Sequence, residues 1–390
     1  MNNKVIILGE DGYNTLGVIR SFGKMGISSF LLLISPKKKG YILKSRYLNE
    51  IKIVVNYEAA LIFLTTEFIK EKCPPIIITT SDTAASIIDL HRNELKDYFV
   101  LSYAGKEEGN IVGLMDKEKM GKLAINSGFN VPKTWHLLNT SEIKEKMKFP
   151  CIVKPLKSIE GSKQDIKICK GKNDLEIILH HSNFVTKHLL VQQFIETDYE
   201  ILIIGCRFMS NGKVIVPGLF RRSRTYPYPG GASSFGLITT DVEQYIDITY
   251  VTNLLVEIDY YGLFSIEFGM CKDTLYFFEI NYRNDGTSHY FDKAGINLPY
   301  LWALDAAGEK IDNLLNFPST SYYFIDEIGD FLNAFEGRIS YKQWFKDFRK
   351  AQVFMYYDRK DKKPFFSILS VRLCWVIYRM LKWLFRNVRK

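Results

Sequence analysis

Residues 264–281 read FSIEFGMCKDTLYFFEIN and form the most informative stretch of the chain. Two apolar-rich runs flank a short polar connection, which is the pattern of a β-hairpin. With the turn centred in that connection, Glu267 lies directly opposite Glu279. Because side chains alternate along a strand, Asn281 and Arg283 share the face of Glu279.

The predicted hairpin face has the composition of a metal and phosphate site. Two carboxylates opposed across a hairpin lie on the order of 5 Å apart, which is destabilising unless a cation compensates them. Mg²⁺ is suited to this, since it binds one or two carboxylates together with substrate phosphates. Asn281 adds a neutral oxygen ligand, and Arg283 offers a fixed cation for a phosphoryl oxygen. The alternative is a solvated hairpin face with an incidental Glu–Arg pair, which the opposing register of Glu267 disfavours.

Residues 1–110 alternate short apolar strands with helical patterns, which is typical of βαβ units and a parallel sheet. We predict strands at 4–8, 30–34, 51–55 and 76–79 and helices at 15–25 and 57–72. Gly9, Gly12 and Gly17 follow the first strand without G-x-G-x-x-G spacing, so tight turns are favoured over a dinucleotide site.

The rest of the chain changes character twice. Residues 111–188 predict a helix at 116–127 and a strand at 151–154. Residues 189–320 predict a mainly antiparallel sheet, with strands near 189–195, 201–206, 214–220, 264–270 and 276–281. Residues 321–390 are aromatic and basic, and we expect them to be helical. The predicted fold class is therefore α/β, in four segments that end at residues 110, 188, 320 and 390.

Two lysines stand where they could meet phosphate. Lys117 follows Asp116 at the start of a helix, and Lys154 closes a buried strand ahead of a polar loop at 157–164. Backbone N–H groups around Gly161 in this loop could bind the oxygens of a triphosphate. For each lysine considered alone, a surface position is the more common alternative. The chain contains no Walker A sequence, which excludes the P-loop solution.

The strand LLVQQFIE (189–196) ends in Gln192, Gln193 and Glu196. Such a strand edge could meet an adenine through backbone groups, with an acidic side chain near the ribose. An ordinary strand end is the alternative when this segment is considered alone.

Together these pieces resemble the ATP-grasp superfamily. Asp116-Lys117, the FPCIVKP strand (149–155), QQFIE (192–196) and Glu267…Glu279-x-Asn281-x-Arg283 occur in that family's order. The resemblance implies a Rossmann-like pre-ATP-grasp domain at 1–110 with a TTSD turn, a small lid subdomain at 111–188 and a large subdomain with the metal site at 189–320. Residues 321–390 are then a basic, aromatic C-terminal extension.

The resemblance also implies roles for individual residues. Arg283 and Lys154 would be catalytic, and Glu267, Glu279 and Asn281 would hold Mg²⁺ or Mn²⁺. The residues that would contact ATP are Lys117, Lys154, Gly161, Ser162, Gln192, Gln193, Phe194, Ile195 and Glu200.

The reaction implied is phosphorylation of a carboxylate by ATP, after which an amine displaces phosphate from the acyl-phosphate. Within the superfamily the chain is most similar to stand-alone carboxylate–amine ligases such as D-aspartate ligase, and to one ATP-grasp half of the carbamoyl phosphate synthase large subunit. The substrates would be a small carboxylate and an amine, either an amino acid or an amino sugar. A small-molecule kinase and a catalytically weak ATP-binding scaffold are the alternatives, the latter because the phosphate loop is poor in glycine.

The acceptor side carries less specific signals. Arg221, Arg222 and Arg224 precede YPYPGGASSFG (226–236), whose composition predicts a mobile lid. The arginines would clamp a substrate carboxylate or, alternatively, form a surface basic cluster. His289, in the loop that follows the hairpin, is equally compatible with a structural and a catalytic role.

Composition restricts location and partners. The six cysteines contain no Cys-x-x-Cys pair, which disfavours zinc and disulfides and suits a reducing cytoplasm. Neither a signal peptide nor a run of 18 apolar residues is visible. Residues 340–390 hold 14 Lys or Arg against three acids, whereas the remaining chain is nearly neutral, so we expect no nucleic-acid partner.

Residues 364–390 contain six basic residues, no acids and many aromatic or aliphatic residues. On a helix this pattern predicts peripheral contact with an anionic membrane, which would place the protein at the inner face of that membrane. A helix docked on the protein body or on a partner subunit, as in a homodimer, is the alternative.

Overall fold

The computed structural model describes residues 1–137, 147–156, 166–181, 189–228 and 230–370. Three sheets organise these residues: a parallel N-terminal sheet, a small antiparallel sheet and a large central sheet. The mixed α/β class predicted from the sequence is confirmed. None of the described helices is long and apolar enough to cross a membrane.

The N-terminal sheet is parallel, as predicted, because helical segments return the chain to the same edge between strands. Its strands are β1 (Val5–Glu10), β2 (Phe30–Ile34), β3 (Glu50–Val54) and β4 (Ile76–Thr79), in the order β3-β2-β1-β4. The helices around it are α1 (Tyr13–Lys24), α2 (Tyr57–Glu67), α3 (Asp82–Leu90), α4 (Arg92–Leu95) and α5 (Asn110–Leu114). A short strand, β5 (Tyr103–Ala104), leaves this layer and pairs with the central sheet.

The small sheet is antiparallel, in the order β6-β9-β7-β8. Its strands are β6 (Thr134–Leu137), β7 (Cys151–Pro155), β8 (Lys167–Cys169) and β9 (Leu189–Gln193). Helix α7 (Lys172–His181) contacts β8, whereas α6 (Lys117–Asn126), which precedes β6 in the chain, packs on the central sheet. Asp116 caps α6 by accepting two backbone N–H groups of the first turn at 2.9 and 3.0 Å. The N–H of Lys117 donates to the carbonyl of Leu156 at 3.1 Å, which ties the start of α6 to the end of β7 beside Lys154.

The central sheet is mostly antiparallel, in the order β14-β13-β10-β11-β12-β15-β16. Its strands are β10 (Tyr199–Arg207), β11 (Val214–Tyr226), β12 (Ala232–Thr239), β13 (Tyr260–Cys271), β14 (Thr274–Asn281), β15 (Ser321–Ile325) and β16 (Val353–Phe354). The helices that accompany it are α8 (Ile248–Glu257), α9 (Leu298–Ala306), α10 (Gly329–Phe335) and α11 (Tyr341–Lys350). Residues 286–294 form a buried 3-10 segment, and 363–370 are helical.

The lid predicted at 226–236 is wrong for most of its length. β11 continues through Tyr226 and β12 begins at Ala232, so only a short connection joins two paired strands. Two serines of this stretch fit within the sheet because their hydroxyl groups form hydrogen bonds with charged side chains. Ser233 accepts from Arg222 at 2.9 Å, and the fully buried Ser234 donates to Asp330 at 2.9 Å.

The expectation that 321–390 is helical needs a similar correction. β15 pairs with β12, and β16 pairs in parallel with β15, so both strands extend the central sheet. Pairing between strands so distant in sequence leaves no local periodicity from which it could be recognised. Residues 371–390, which hold most of the predicted membrane tail, lie outside the described residues.

One hydrophobic core joins the N-terminal and central layers. Phe22 of α1 belongs to the same buried cluster as Phe220 of β11, Tyr290 and Trp302. A buried ion pair, here called the clasp, lies beside this core. Arg20 donates to the Asp361 carboxylate at 3.1 Å, and both side chains are almost completely buried.

Both side chains of the clasp form further hydrogen bonds. The Arg20 guanidinium also donates to the carbonyls of Tyr356 and Asp361, at 2.8 and 3.0 Å. Asp361 accepts the hydroxyl of Ser45 and the backbone N–H of Arg46, each at 2.8 Å. The segment that follows β16 is therefore fastened to the N-terminal layer.

We expect Asp361→Asn to lower the free energy of unfolding by about 3 kcal/mol, because it leaves the buried Arg20 cation without its counter-charge. Urea unfolding followed by tryptophan fluorescence measures this change. Asp97→Asn, at an exposed position, is the matched control and should change the value by less than about 0.5 kcal/mol. Equal behaviour of the two variants would show that the clasp contributes little.

Candidate active site

The carboxylate pairing predicted for the hairpin β13–β14 is present, but the register that produces it differs from the prediction. Cys271 pairs with Thr274 across a two-residue turn and Phe268 pairs with Phe277, and a β-bulge then shifts the register by one residue between Phe268 and Glu267. Glu267 pairs with Glu279, and Ser265 pairs with Asn281. The connection turns at Lys272 and Asp273, which have φ of 47° and 63°, the left-handed conformation that a tight hairpin turn requires. Both carboxylates therefore stand on one face of the central sheet.

The electrostatics of Glu279 reflect this pairing. Burial raises the pKa of the Glu279 carboxyl above its ordinary value, and the charge of Glu267 raises it further. Lys117 and Lys154 act in the opposite direction. Lys117 at the start of α6, Lys154 at the end of β7 and Glu267 of β13 thus all act on Glu279, which brings together residues that the sequence placed on separate elements.

Lys154 is held by a chain of side chains across the small sheet. Its Nζ donates to Oε1 of Gln192 at 2.9 Å, and Nε2 of Gln192 donates to the hydroxyl of Thr134 at 3.0 Å. Burial lowers the pKa of Lys154 to about 8, against the attraction of Glu279. The Gln192 side chain therefore orients the lysine, a function that the sequence did not indicate.

The neighbouring adenine-pocket candidates are engaged through their backbones. The N–H of Gln193 donates to the carbonyl of Lys133 at 2.7 Å, and that of Phe194 donates to Pro150 at 3.1 Å. Ile195 follows Phe194 after the end of β9. Their contact with a nucleotide stays a prediction. Gly161 and Ser162 of the predicted phosphate loop lie outside the described residues.

The three arginines of β11 have three different environments. Nη1 of Arg222 lies 2.6 Å from Oε2 of Glu200 and 3.3 Å from Oε2 of Glu267, so this guanidinium faces the site. Arg221 stacks on the ring of Tyr199 at 4.1 Å. Arg224 forms ion pairs elsewhere, described below. Glu200, predicted to contact the nucleotide, is bonded to Arg222 in the central sheet.

Arg283 is fixed between the hairpin and the N-terminal layer. Its Nε donates to Oδ1 of Asp82 at 2.8 Å, and its Nη2 donates to Oδ1 of Asn281 at 3.2 Å. Nη1 lies 3.4 Å from the Asp285 carboxylate. Asp82 ends the TTSD turn, which therefore contributes directly to the site.

Tyr13, at the start of α1, is a site residue that sequence reasoning missed. Its ring packs so closely on Gly286 that a Cβ there would lie 2.1 Å from ring Cε2. Burial raises the pKa of its hydroxyl, as does Asp285, whereas Arg283 and Arg222 lower it. The only sequence signal was the Gly-Tyr-Asn turn after β1, which by itself indicates a strand-to-helix connection.

His289 is placed away from the hairpin face, in the interior against Gly17 of α1. Its Nδ1 donates to the carbonyl of Gly286 at 2.7 Å when that nitrogen carries the proton. Burial and the nearby Arg20 and Lys24 lower its pKa to about 3. Of the two roles open at the sequence level, these contacts favour the structural one.

The donor set fits a magnesium ion that also binds phosphate. Among the described residues, no group of three or more His, Cys, Asp or Glu side chains could hold a metal by itself. Glu267 and Glu279 supply two carboxylates, and Oδ1 of Asn281 keeps a free lone pair beside its bond to Arg283. Mg²⁺ takes one or two carboxylates and completes its shell with water and substrate phosphates.

Comparison with known proteins identifies the domain. Residues 122–295 match the family model of the ATP-grasp domain, the superfamily that the hairpin and the motifs before it resemble. The formate-dependent phosphoribosylglycinamide formyltransferase of Methanococcus maripaludis is 25% identical over 232 residues, which is 56% of each chain. The carbamoyl phosphate synthase large chain of Caldanaerobacter subterraneus is 27% identical over 210 residues, which is 51% of this chain and 19% of that one.

The fold comparison extends over more of the chain. The crystal structure of L-amino acid ligase from Bacillus licheniformis superposes with a TM-score of 0.62 and 16% identity, over 82% of this chain and 79% of that one. This likeness shows the fold. The chain spans only about half the length of the formyltransferase that it matches.

We expect Glu279→Gln to stabilise the metal-free protein. Because the folded-state pKa is raised, ionisation of Glu279 opposes folding, and this cost grows as pH rises above its ordinary pKa of 4.5. Near pH 7 the variant should gain up to about 1 kcal/mol. At about pH 3.5 and below, where the carboxyl is largely protonated in both the folded and the unfolded state, the gain should shrink towards zero.

Denaturant unfolding at a series of pH values measures the effect. Glu257→Gln, at an exposed carboxylate near the end of α8, is the control and should give no pH-dependent gain. A loss of stability in Glu279→Gln across the whole range would mean that the two lysines outweigh Glu267 at this position.

Proposed function

We propose that this chain, an ATP-grasp protein, is an ATP-dependent carboxylate–amine ligase. The observation that carries the proposal is the opposed pair Glu267 and Glu279, flanked by Lys154 of the small sheet and by the guanidinium groups of Arg222 and Arg283. Carboxylates with cations on both sides suit a polyanion and its metal ion better than they suit an uncharged ligand.

The phosphoryl donor would be ATP with Mg²⁺ or Mn²⁺. Glu267, Glu279 and Asn281 would hold the ion, which neutralises phosphate charge when bound. Lys117 and Lys154 would contact the phosphates, together with the loop that contains Gly161 and Ser162. The segment 192–195 would line the adenine pocket.

This chain's contribution to the reaction would be positioning and charge compensation. Arg283 would stabilise the transferring phosphoryl group, since its guanidinium is already oriented by Asp82 and Asn281. Arg222 orients Glu267 and lies beside Tyr13, where the carboxylate substrate could approach. A carboxylate phosphorylated there would be attacked by the amine, with phosphate as the leaving group.

The choice of ligase over kinase rests on the similar proteins. Their names describe a formate-dependent formyltransferase, a carbamoyl phosphate synthase chain and an L-amino acid ligase. A small-molecule kinase, which would stop at the phosphorylated product, and a weakly catalytic ATP-binding scaffold are the other candidates. We further propose that the amine is an amino acid or an amino sugar. The product would serve cell-envelope or surface-polysaccharide modification, and the protein itself would act in the cytoplasm.

The first test measures ADP and phosphate release with Mg²⁺-ATP across panels of small carboxylates and amines. Release should require a substrate pair and Mg²⁺, and Glu279→Gln should reduce it at least a hundredfold, since this change removes a metal ligand. Glu257→Gln should leave it unchanged. An amide product supports the ligase, whereas a stable phosphorylated product supports the kinase. Tight ATP binding without turnover would support the scaffold.

A second test addresses Arg222. Arg222→Lys cannot bond Glu200 and Glu267 with the same planar group, so Glu267 should lose its fixed orientation. We expect the Mg²⁺ concentration for half-maximal activity to rise about tenfold or more. The matched control is Arg221→Lys, whose side chain stacks on Tyr199 instead. An unchanged Mg²⁺ requirement in Arg222→Lys would remove this residue from the metal site.

A further inference from the structure

Helix α11 presents a solvent face whose chemistry the proposed ligase does not use. Ser340 caps the helix by accepting the N–H of Gln343 at 3.1 Å. Trp344, Asp347 and Phe348 face the protein. At about 100° per residue, the remaining positions form one continuous outward face.

The outward face is basic. Its cations are the exposed residues Lys342, Lys346 and Arg349 and, at the edge of the face, Lys350, whose Nζ lies 3.7 Å from the centre of the Tyr323 ring of β15. The helix contains one acid, Asp347, which is buried and bonded to Arg224 at 2.8 Å and to Gln343 at 2.8 Å. Arg224 is in turn bonded to Asp330 through two nitrogens. Among the ion pairs of the described residues, none neutralises the four cations of the outward face.

The same face exposes aromatic rings. Tyr341 and Phe345, one helical turn apart, are each 55% exposed, and Arg349 lies over the Phe345 ring at 5.8 Å. Large apolar side chains that remain exposed beside cations are typical of surfaces that meet a membrane interface.

Rings on the protein-facing side of α11 connect the helix to the helical segment at 363–370. A series of ring contacts connects the two, with neighbouring centroids 5.3–6.4 Å apart. The rings in order are Tyr341, Phe331, Trp344, Phe348, Phe354, Tyr357, Phe365 and Phe366. Phe366, at the end of this series, is 57% exposed.

We propose that the outward face of α11 is a docking surface for an anionic lipid membrane. This inference is independent of the ligase activity and extends the membrane contact predicted from the tail to a rigid part of the body. Each basic residue close to an acidic bilayer strengthens binding roughly fivefold, so Lys342, Lys346 and Arg349 together give a substantial attraction. The exposed rings enter the interfacial region, where an apolar body with a polar edge is stable.

The surrounding sequence favours lipid over nucleic acid as the occupant. The described chain leaves this surface at residue 370, and residues 371–390 add six more basic residues with interspersed Trp, Leu and Phe and no acids. Nucleic acid would be attracted by the cations but would gain less from Phe345 and Phe366, because a duplex offers few apolar surfaces to rings at its phosphates.

The test uses the full-length protein and sedimentation with vesicles. Wild type should bind vesicles of phosphatidylcholine with phosphatidylglycerol, and bind pure phosphatidylcholine vesicles weakly. The double variant Lys342→Glu/Lys346→Glu should bind the acidic vesicles at least tenfold more weakly. Phe345→Ser should weaken binding severalfold without changing the charge.

The matched control is Lys70→Glu/Lys72→Glu, which reverses two exposed charges on the N-terminal layer and should bind as wild type does. Circular dichroism establishes that each variant is folded. Wild-type binding by both α11 variants, together with its loss in Arg386→Glu/Lys390→Glu, would assign the contact to the tail alone and overturn the proposal. Binding of duplex DNA or RNA in place of vesicles would overturn it in favour of nucleic acid.

Discussion

The opposition of Glu267 and Glu279 across one pair of strands is the constraint around which the site is built. Two carboxylates in this register repel each other, and burial makes the charge of Glu279 harder to maintain. The structure surrounds them with cations from several elements: Lys117 at the start of α6, Lys154 of the small sheet, Arg222 from β11 and Arg283 after β14. The pKa of Glu279 is raised in spite of these cations, so they do not fully offset burial and the charge of Glu267. A divalent cation bound between the two carboxylates would complete the compensation.

Each cation is held by a different part of the fold, so the site depends on how the layers meet. Lys154 is oriented by Gln192 and Thr134 within the small sheet. Arg283 is bonded to Asp82 of the N-terminal layer, and the Asn14 and Asn284 side chains bond each other across the same junction at 2.6 Å. The hydrophobic core shared by α1 and the central sheet keeps this junction in place.

The C-terminal part of the chain stabilises the same arrangement from outside. β15 and β16 extend the central sheet, and Asp361 closes the buried clasp with Arg20. Asp330 and Asp347 hold Arg224, two residues from Arg222 on β11. The surface proposed to meet lipid is therefore bonded to the strand that carries Arg222, so binding to lipid would orient the body of the protein relative to a membrane.

The sequence by itself determined the α/β class and the parallel N-terminal sheet, because the periodicities of strands and helices are local properties. It also predicted the pairing of Glu267 with Glu279, but in the structure a two-residue turn and a β-bulge beside Glu267 produce that pairing in place of a turn centred on Asp273. The same local logic placed Lys117 at a helix start and Lys154 at a strand end. Only the tertiary structure decided that Arg222 meets Glu267, that Asp82 meets Arg283 and that Tyr13 enters the site. It also decided that residues 226 and 232–236 belong to the sheet, and that β15 and β16 complete it. These contacts join residues that are far apart in sequence. They form only when the sheets pack together, because burial then requires each charge and hydroxyl group to have a hydrogen-bond or ion-pair partner.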